Sequence, residues 1–190
     1  PPVMRASVMF TIFVIGENLH RKSNIYNSFA ASAFILLLIN PNNLYDIGFQ
    51  LSYAAVFGIV YLQPKLEKII LVKSKFIKFF WSLITVSIAA QMATFPITSY
   101  YFGQFPTYFW LTNTFVIPAV MVLVPIGIFL LFVSKIYIVS TILAVSLNYM
   151  IKITYFLLTV IDQFPFAVIE ISINQVQFIF IIAIVCSIFI

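Results

Sequence analysis

The side chains that usually perform catalysis or bind metals are scarce in this sequence. His20 and Cys186 are the only histidine and the only cysteine among 190 residues. A zinc site needs three or four ligands of these types, and nucleophilic catalysis needs a serine or cysteine beside a base. No such grouping, no pair of carboxylates inside an apolar run and no glycine-rich phosphate loop occur. We therefore expect no enzymatic activity, metal site or cofactor in this segment.

Polar side chains that interrupt long apolar runs point to a different chemistry. Such groups are costly in lipid, so they usually face the interior of a helix bundle or a water-filled path. The candidates for lining a path are Arg5, Asp46, Gln50, Ser52, Gln91, Asn113 and Lys152. Alternatively, the amides hydrogen-bond neighbouring helices together, and Arg5 snorkels outwards. Lys152 lies near the middle of its run, so we expect it to face inwards. We hypothesise that Arg5 and Gln50 face a shared polar path.

The elements that position these residues follow from the composition. Hydrophobic residues make up 63% of the chain and charged residues only 8%, whereas soluble domains carry roughly 25% charged residues. The mean hydropathy is +1.13. Because a soluble fold needs more polar surface than this, the sequence predicts an all-α, polytopic bundle of transmembrane helices.

Apolar runs predict about seven spans, since a crossing helix needs about 20 mostly apolar residues. They cover roughly residues 2–16, 25–39, 44–62, 76–97, 108–133, 136–161 and 175 onwards. The second run is short and Asp46 opens the third, so this pair need not be two plain helices. The chain lacks an initiator methionine and both ends are apolar. We therefore expect residues 1–190 to be part of one transmembrane domain of a longer protein, truncated at both ends.

Basic residues predict the orientation, because cytoplasmic loops are enriched in Lys and Arg. Eight of the ten fall on alternate loops: Arg21 and Lys22, then Lys65, Lys68, Lys73, Lys75 and Lys78, then Lys135. The intervening loops carry only the acids Asp46, Asp162 and Glu170. The chain should thus start outside and end inside.

The five-lysine cytoplasmic basic loop is either this topology signal with an interfacial helix, or a patch for DNA phosphates or anionic lipid. Similarly, the segment SYYFGQFPTYFW on the predicted outer side is either an aromatic belt at the lipid headgroups or a surface on which bases stack.

Several strings also occur in order as they do in a known family. They are PPVMRASVM, NPNNLYDIGFQLSYAAVFGIVYLQP and AAQMATFPITSYYFGQFPTYFWLTN, followed by NTFVIP. Together they resemble the membrane competence domain of ComEC-type proteins, over residues 2 to about 118. The string DIGFQLSY is the most specific of them. The polar residues that match by position are Arg5, Asn40, Asp46, Gln50, Ser52, Gln91 and Asn113.

The resemblance implies a function that composition does not show. Members of that family are channels of the bacterial inner membrane that pass single-stranded DNA into the cytoplasm during transformation. They receive DNA from an outer receptor and deliver it to cytoplasmic DNA-processing proteins. Full-length members carry an OB-like domain upstream, and many carry a hydrolase-like domain downstream. Formation of a homo-oligomer stays open. The alternatives are a small-solute transporter and a non-conducting assembly scaffold.

Overall fold

The chain is almost entirely helical. The computed structural model describes residues 2–18, 24–70, 74–135, 137–171 and 173–188. In these ranges the helices are α1 (Pro2–Asn18), α2 (Ile25–Ile39), α3 (Ile47–Glu67), α4 (Lys75–Phe102), α5 (Phe109–Val133), α6 (Tyr137–Asp162) and α7 (Gln175–Ile188). A short 3-10 helix (Pro41–Tyr45) precedes α3, and two three-residue strands, β1 (Gln104–Pro106) and β2 (Val168–Glu170), follow α4 and α6.

Three helices in the described part of the chain are long and apolar enough to cross a membrane. They cover Lys75–Phe102, Phe109–Val133 and Val139–Asp162. Shorter apolar helices cover Val3–Ile15, Ile25–Ile39 and Gln175–Val185. Since lipid cannot satisfy backbone N–H and C=O groups, a chain this apolar has to hydrogen-bond them internally, and helices do so within each segment. The predicted all-α membrane fold is confirmed.

The chain divides into two compact units. Unit 1 comprises Pro1–Lys65, Ala89–Phe102 and Ile173–Ile190, and unit 2 comprises Leu66–Ile88 and Gly103–Ser172. The core of unit 1 is formed by Leu36 of α2 with Phe49 and Tyr53 of α3, and the two aromatic rings lie 4.4 Å apart. Val8 and Met9 of α1 pack against this core. Three helices of unit 1 therefore share one hydrophobic cluster.

Small residues allow α3 and α4 to approach closely within unit 1. A Cβ atom on Gly58 would lie 2.5 Å from the carbonyl oxygen of Ala89 and 2.5 Å from the Cβ of Ala93. Ala89 is fully buried. Helices in membranes associate mainly through such close packing of small side chains, because lipid offers no hydrophobic driving force between them. The contact fixes the α4 turn that carries Gln91.

Asparagines explain why the second and third predicted runs are not two plain helices. Asn40 ends α2 by donating its N–H to the Leu36 carbonyl, at 3.1 Å. Its side chain then accepts a hydrogen bond from the N–H of Asn42, also at 3.1 Å, and so caps the 3-10 helix. The Asn43 amide donates to the same Leu36 carbonyl. The α3 helix thus begins at Ile47, three residues later than predicted.

Three of the five lysines of the predicted basic loop lie in helices. Lys65 lies in the last turn of α3, and Lys75 and Lys78 lie in the first turn of α4. Lys68 lies between the two helices, and Lys73 is outside the described residues. Hydropathy ended the third run at Leu62, but α3 continues through Pro64 to Glu67. A contact of the Lys65 ammonium with the Tyr61 ring, at 3.6 Å from its centroid, stabilises that extra turn.

Unit 2 is built around α5 and α6, and a two-stranded ribbon joins the segments that follow α4 and α6. Strands β1 and β2 pair antiparallel, with Gln104 opposite Glu170 and Pro106 opposite Val168. The Ile171 N–H also donates to the Gly103 carbonyl, at 2.9 Å. Gly103 has a φ of 63°, which glycine adopts without strain. The ribbon brings together two loops that charge patterning assigned to one side of the membrane.

Candidate functional site

Arg5 and Asp46 form an ion pair within unit 1. Arg5 is carried by α1, and its Nη2 lies 2.9 Å from Oδ2 of Asp46. Asp46 is the residue before α3, where Oδ1 accepts the N–H of Phe49 at 3.0 Å. An aspartate at this position satisfies one of the free N–H groups at a helix start. The Arg5 side chain is only 11% exposed, so it does not snorkel outwards. The carboxylate therefore holds α1 against the start of α3.

Gly48 leaves space for this ion pair. A Cβ at Gly48 would lie 2.7 Å from Nη1 of Arg5 and 3.1 Å from Oδ1 of Asp46. A larger residue would have to displace the guanidinium, which is the end of a flexible side chain. The glycine in the string DIGFQ therefore lets the arginine approach the first turn of α3 closely.

The environment of Asp46 stabilises its charged form. The hydrogen bond from the Phe49 N–H holds the pKa of Asp46 below its usual value. Partial burial acts in the opposite direction, and the nearby Arg5 guanidinium lowers the pKa further. Hydrogen bonds and opposite charges favour the carboxylate over the carboxylic acid. The Asp46 carboxyl therefore stays ionised at neutral pH.

Gln50 and Ser52 are occupied by local hydrogen bonds. Nε2 of Gln50 donates to the Leu44 carbonyl at 2.9 Å, which ties α3 back to the 3-10 helix. The Ser52 hydroxyl donates to the Phe49 carbonyl at 3.0 Å. Arg5 and Gln50 thus lie at the same end of unit 1, but each has a partner there. That they share a polar path stays a prediction.

A buried hydrogen bond between α2 and α3 was missed by the sequence analysis. The oxygens of Ser32 and Tyr53 are 3.1 Å apart. Ser32 has one hydroxyl hydrogen, which it donates to the Phe29 carbonyl at 2.7 Å, so Tyr53 is the donor between the helices. Neither residue interrupts its apolar run with a charge or an amide. Only the side-chain contact reveals this pair.

Gln91 occupies the most unusual polar environment in unit 1. Its Nε2 is buried and has no hydrogen-bond partner among the residues that the structure describes, and the same holds for Oγ of Ser99. A buried donor without a partner costs about 1–3 kcal/mol. The two residues lie eight positions apart on α4, about 12 Å along the helix axis. Such costly groups mark functional sites in membrane helices.

Gln91 belongs to a polar stripe along α4, which we define as Gln91, Thr94 and Thr98. These positions lie within about 60° around the helix, because each residue advances by about 100°. Thr94 donates its hydroxyl hydrogen to the Ala90 carbonyl at 2.9 Å, and Thr98 donates to the Thr94 carbonyl at 3.1 Å. Their lone pairs remain as acceptors, whereas the Gln91 amide adds donors. The spacing of three and seven residues was readable in the sequence.

The two remaining candidates lie in unit 2. Asn113 of α5 is half-buried and lines a cavity of about 510 Å³ between α5, α6 and the ribbon. Lys152 of α6 is exposed on the surface of its unit. The unit thus does not enclose Lys152, and the expectation that it faces an inner path stays a prediction. The structure brings Arg5, Asp46 and Gln50 together and leaves Gln91 and Asn113 in separate environments.

The lysines near the ends of α3 and α4 form contacts of their own. Nζ of Lys78 lies 4.0 Å from Oε1 of Glu67, and Nε1 of Trp81 donates to the Glu67 carbonyl at 3.4 Å. Lys75 and Lys68 are exposed. The cluster is therefore a solvated charged end of two helices with an aromatic residue beside it, an arrangement typical of a membrane interface.

Comparisons with known proteins identify the family. ComE operon protein 3 of Bacillus subtilis (strain 168) is 31% identical to this chain over 105 residues, which are 55% of the chain and 13% of that protein. The chain therefore spans a small part of that relative. No solved structure matches. The family described as "Competence protein" matches residues 1–190. With a match over the whole length, the chain belongs to the competence protein family.

Proposed function

We propose that this chain is part of an inner-membrane channel that passes single-stranded DNA into the cytoplasm. The match of the competence protein family over residues 1–190 carries the proposal. The family's description concerns competence, and a protein that takes up DNA through a membrane would need a route for a polyanion. The apolar helices of this chain support a location in the bilayer.

The polar stripe of α4 is the best candidate for the wall of that route. A pore for a charged polymer must replace its hydration without binding it so tightly that movement stops. Amides and hydroxyls meet this requirement better than a row of lysines. Gln91 supports the assignment most strongly, because its Nε2 has no hydrogen-bond partner among the described residues. The atom is buried in this packing, so contact with a strand requires the side chains around it to move apart. The chain itself acts without covalent chemistry in this proposal.

The ion pair of Arg5 and Asp46 has a supporting role in the proposal. Each charge neutralises the other, so neither is available to hold a phosphate or a coupling ion. A small-solute transporter would need a free carboxylate near its substrate, and Asp46 is engaged with Arg5 and Phe49. We therefore favour a route along α4, with the ion pair holding α1 and α3 in place beside it.

The orientation and partners follow from the proposed role. The chain starts outside and ends inside, with the lysines of α3 and α4 on the cytoplasmic side. DNA arrives from a receptor outside and is taken up by DNA-processing proteins in the cytoplasm. The lipid bilayer surrounds the apolar faces, and assembly into a homo-oligomer is compatible with this arrangement.

Replacing Gln91 with leucine tests the proposal against a scaffold. Because leucine removes a buried, unpartnered amide, Gln91→Leu should leave the thermal stability of the full-length parent protein unchanged or raise it. DNA uptake should nevertheless fall. Met92→Leu is the matched control, since Met92 is the exposed neighbour on another face of α4, and it should leave uptake unchanged.

The readout follows labelled DNA in a transformable host, separating a nuclease-sensitive pool outside from a protected pool in the cytoplasm. Gln91→Leu should fill the outer pool and deplete the inner pool, with normal amounts of protein in the membrane. Deletion of the gene should retain surface binding and abolish entry. A scaffold for the receptor would lose surface binding as well, and an unchanged cytoplasmic pool in the deletion strain would contradict the channel.

A further inference from the structure

The assignment of the route to α4 leaves a cavity in unit 2 without a role. It lies where α5 and α6 meet the two-stranded ribbon, and its volume is about 510 Å³. We call it the ribbon pocket. Pro106 of β1 and Val168 of β2 form part of its wall, so the pocket extends beyond the ends of the apolar helices. Its size is within the range of about 300–1,000 Å³ that is typical of ligand sites.

The charge of the ribbon pocket comes from one carboxylate. Asp162 is the only charged side chain among the described residues that line it. No lysine or arginine occurs in residues 79–134 or 153–190. Lys152 lies ten residues earlier on α6, about 15 Å along the helix, which is too far to form an ion pair with Asp162. The ion pairs among the described residues join Arg5 to Asp46 and Lys78 to Glu67, so Asp162 forms none there.

The hydroxyl groups of the ribbon pocket reinforce this polarity. The Tyr108 hydroxyl donates its hydrogen to the Pro165 carbonyl at 3.2 Å. The Thr159 hydroxyl donates to the Tyr155 carbonyl at 2.9 Å. Both oxygens are left with lone pairs, so they act as acceptors towards the cavity. A phosphate or another carboxylate would meet repulsion here, whereas a group rich in N–H donors would be favoured.

Aromatic residues add a second preference for a cation. Tyr108, Phe109 and Tyr155 all line the ribbon pocket. Aromatic faces attract ammonium and guanidinium groups, and a planar guanidinium also stacks on them. A single carboxylate does not suit Ca²⁺, which takes six to eight oxygen ligands. The combination of acceptors, one negative charge and aromatic walls selects an organic cation.

We propose that the ribbon pocket binds an arginine or lysine side chain of a protein outside the membrane. The ribbon wall favours a protein over a lipid headgroup, because that side of the cavity is built from segments beyond the apolar helices. The inference goes beyond the proposed DNA route and does not depend on it. It gives an acidic outer surface a way to dock a basic partner.

The experiment measures binding of a tri-arginine peptide to the full-length parent protein in nanodiscs of phosphatidylglycerol, with a tri-citrulline peptide as the neutral control. Binding to empty nanodiscs of the same lipid is subtracted, because this anionic lipid itself attracts arginine. The arginine peptide should bind at least about fivefold more tightly than the citrulline peptide. Asp162→Asn should weaken arginine binding by at least about fivefold, as expected for a surface charge contact with aromatic neighbours. Tyr155→Leu should also weaken it.

Glu170→Gln is the matched control. This change also removes one negative charge, but Glu170 lies on β2 and does not line the ribbon pocket. Its effect should stay below about twofold. Equal binding of both peptides, or equal effects of Asp162→Asn and Glu170→Gln, would overturn the proposal. Loss of arginine binding when phosphatidylethanolamine is added to the nanodiscs would show that a lipid headgroup occupies the pocket, and would also overturn it.

Discussion

The close approach of α3 and α4 at Gly58 offers a test whose magnitude follows from its geometry. Introducing a methyl group by Gly58→Ala places a carbon 2.5 Å from the Ala89 carbonyl oxygen and 2.5 Å from the Ala93 Cβ. Favourable carbon contacts lie at about 3.5–4.0 Å. Because the obstacle includes main chain, α3 and α4 must separate by about 1 Å. Overpacking of this kind costs about 1–3 kcal/mol.

A second alanine substitution removes the complication of helix propensity. Alanine is about 0.8–1.0 kcal/mol more favourable than glycine inside a helix, so part of the cost at Gly58 is offset. Gly127 of α5 has no atom within 4 Å of the position where a Cβ would be built, so Gly127→Ala gains the same propensity without a clash. The difference between the two variants isolates the α3–α4 contact, at about 2 kcal/mol.

The assay is thermal unfolding of the two variants in the same detergent, followed by size-exclusion chromatography. A change of 1 kcal/mol shifts the Tm of a chain of this size by about 2–4 °C. Gly58→Ala should therefore melt roughly 4–8 °C below Gly127→Ala. The double variant Gly58→Ala with Ala93→Gly should recover part of that loss. If Gly58→Ala melts at or above Gly127→Ala, the close approach of α3 and α4 is wrong.

Three further predictions concern topology and the ion pair. In a Cys186→Ser background, single cysteines that replace Asn42, Gln104 or Asn174 should react with an impermeant thiol reagent added outside the cell. Single cysteines that replace Ser23, Ser74 or Ser134 should not react. Labelling at position Ser74 in intact cells would reverse the orientation. Arg5→Met and Asp46→Asn should each lower the amount of folded protein. The double variant should lose less than the sum of the two single losses, because Asn keeps the helix cap and no unpaired charge is left. Fully additive losses would exclude the ion pair. The pKa of Asp46 is lower in the folded state than in the unfolded state. The stabilisation by the Asp46 carboxylate should therefore be complete above about pH 4, the usual carboxyl pKa, and should be lost as the pH falls below that value. Asp46→Asn should abolish this acid transition in a profile of Tm against pH.

Much of the helical architecture could be predicted from apolar runs, because length and hydropathy decide which segments can lie in lipid. The predicted limits of α2 were correct, and the start of α5 was off by one residue. The limits of α3 were wrong because hydropathy does not register a 3-10 helix capped by Asn40. The end of α3 was placed too early for a related reason, since hydropathy falls after Leu62 whereas the helix continues through Lys65 to Glu67.

The pairing of side chains could not be predicted in the same way. Arg5 and Asp46 are 41 positions apart, and their contact depends on the packing of α1 against the start of α3. Gly48 and Gly58 carry no signal of their own, because a glycine gives no indication of which atom will approach it. The stripe of Gln91, Thr94 and Thr98 is different. Its helical spacing was visible in the sequence, and only the burial of Gln91 required the structure.

The most direct test of the central claim is to trap DNA in transit. Transforming DNA that contains 4-thiothymidine is supplied to cells and irradiated during uptake, and the cross-linked peptides of the parent protein are mapped by mass spectrometry. The account predicts cross-links on α4 between Gln91 and Thr98, and their loss when uptake is blocked. Active uptake with cross-links elsewhere in the protein and none on this stretch of α4 would contradict it.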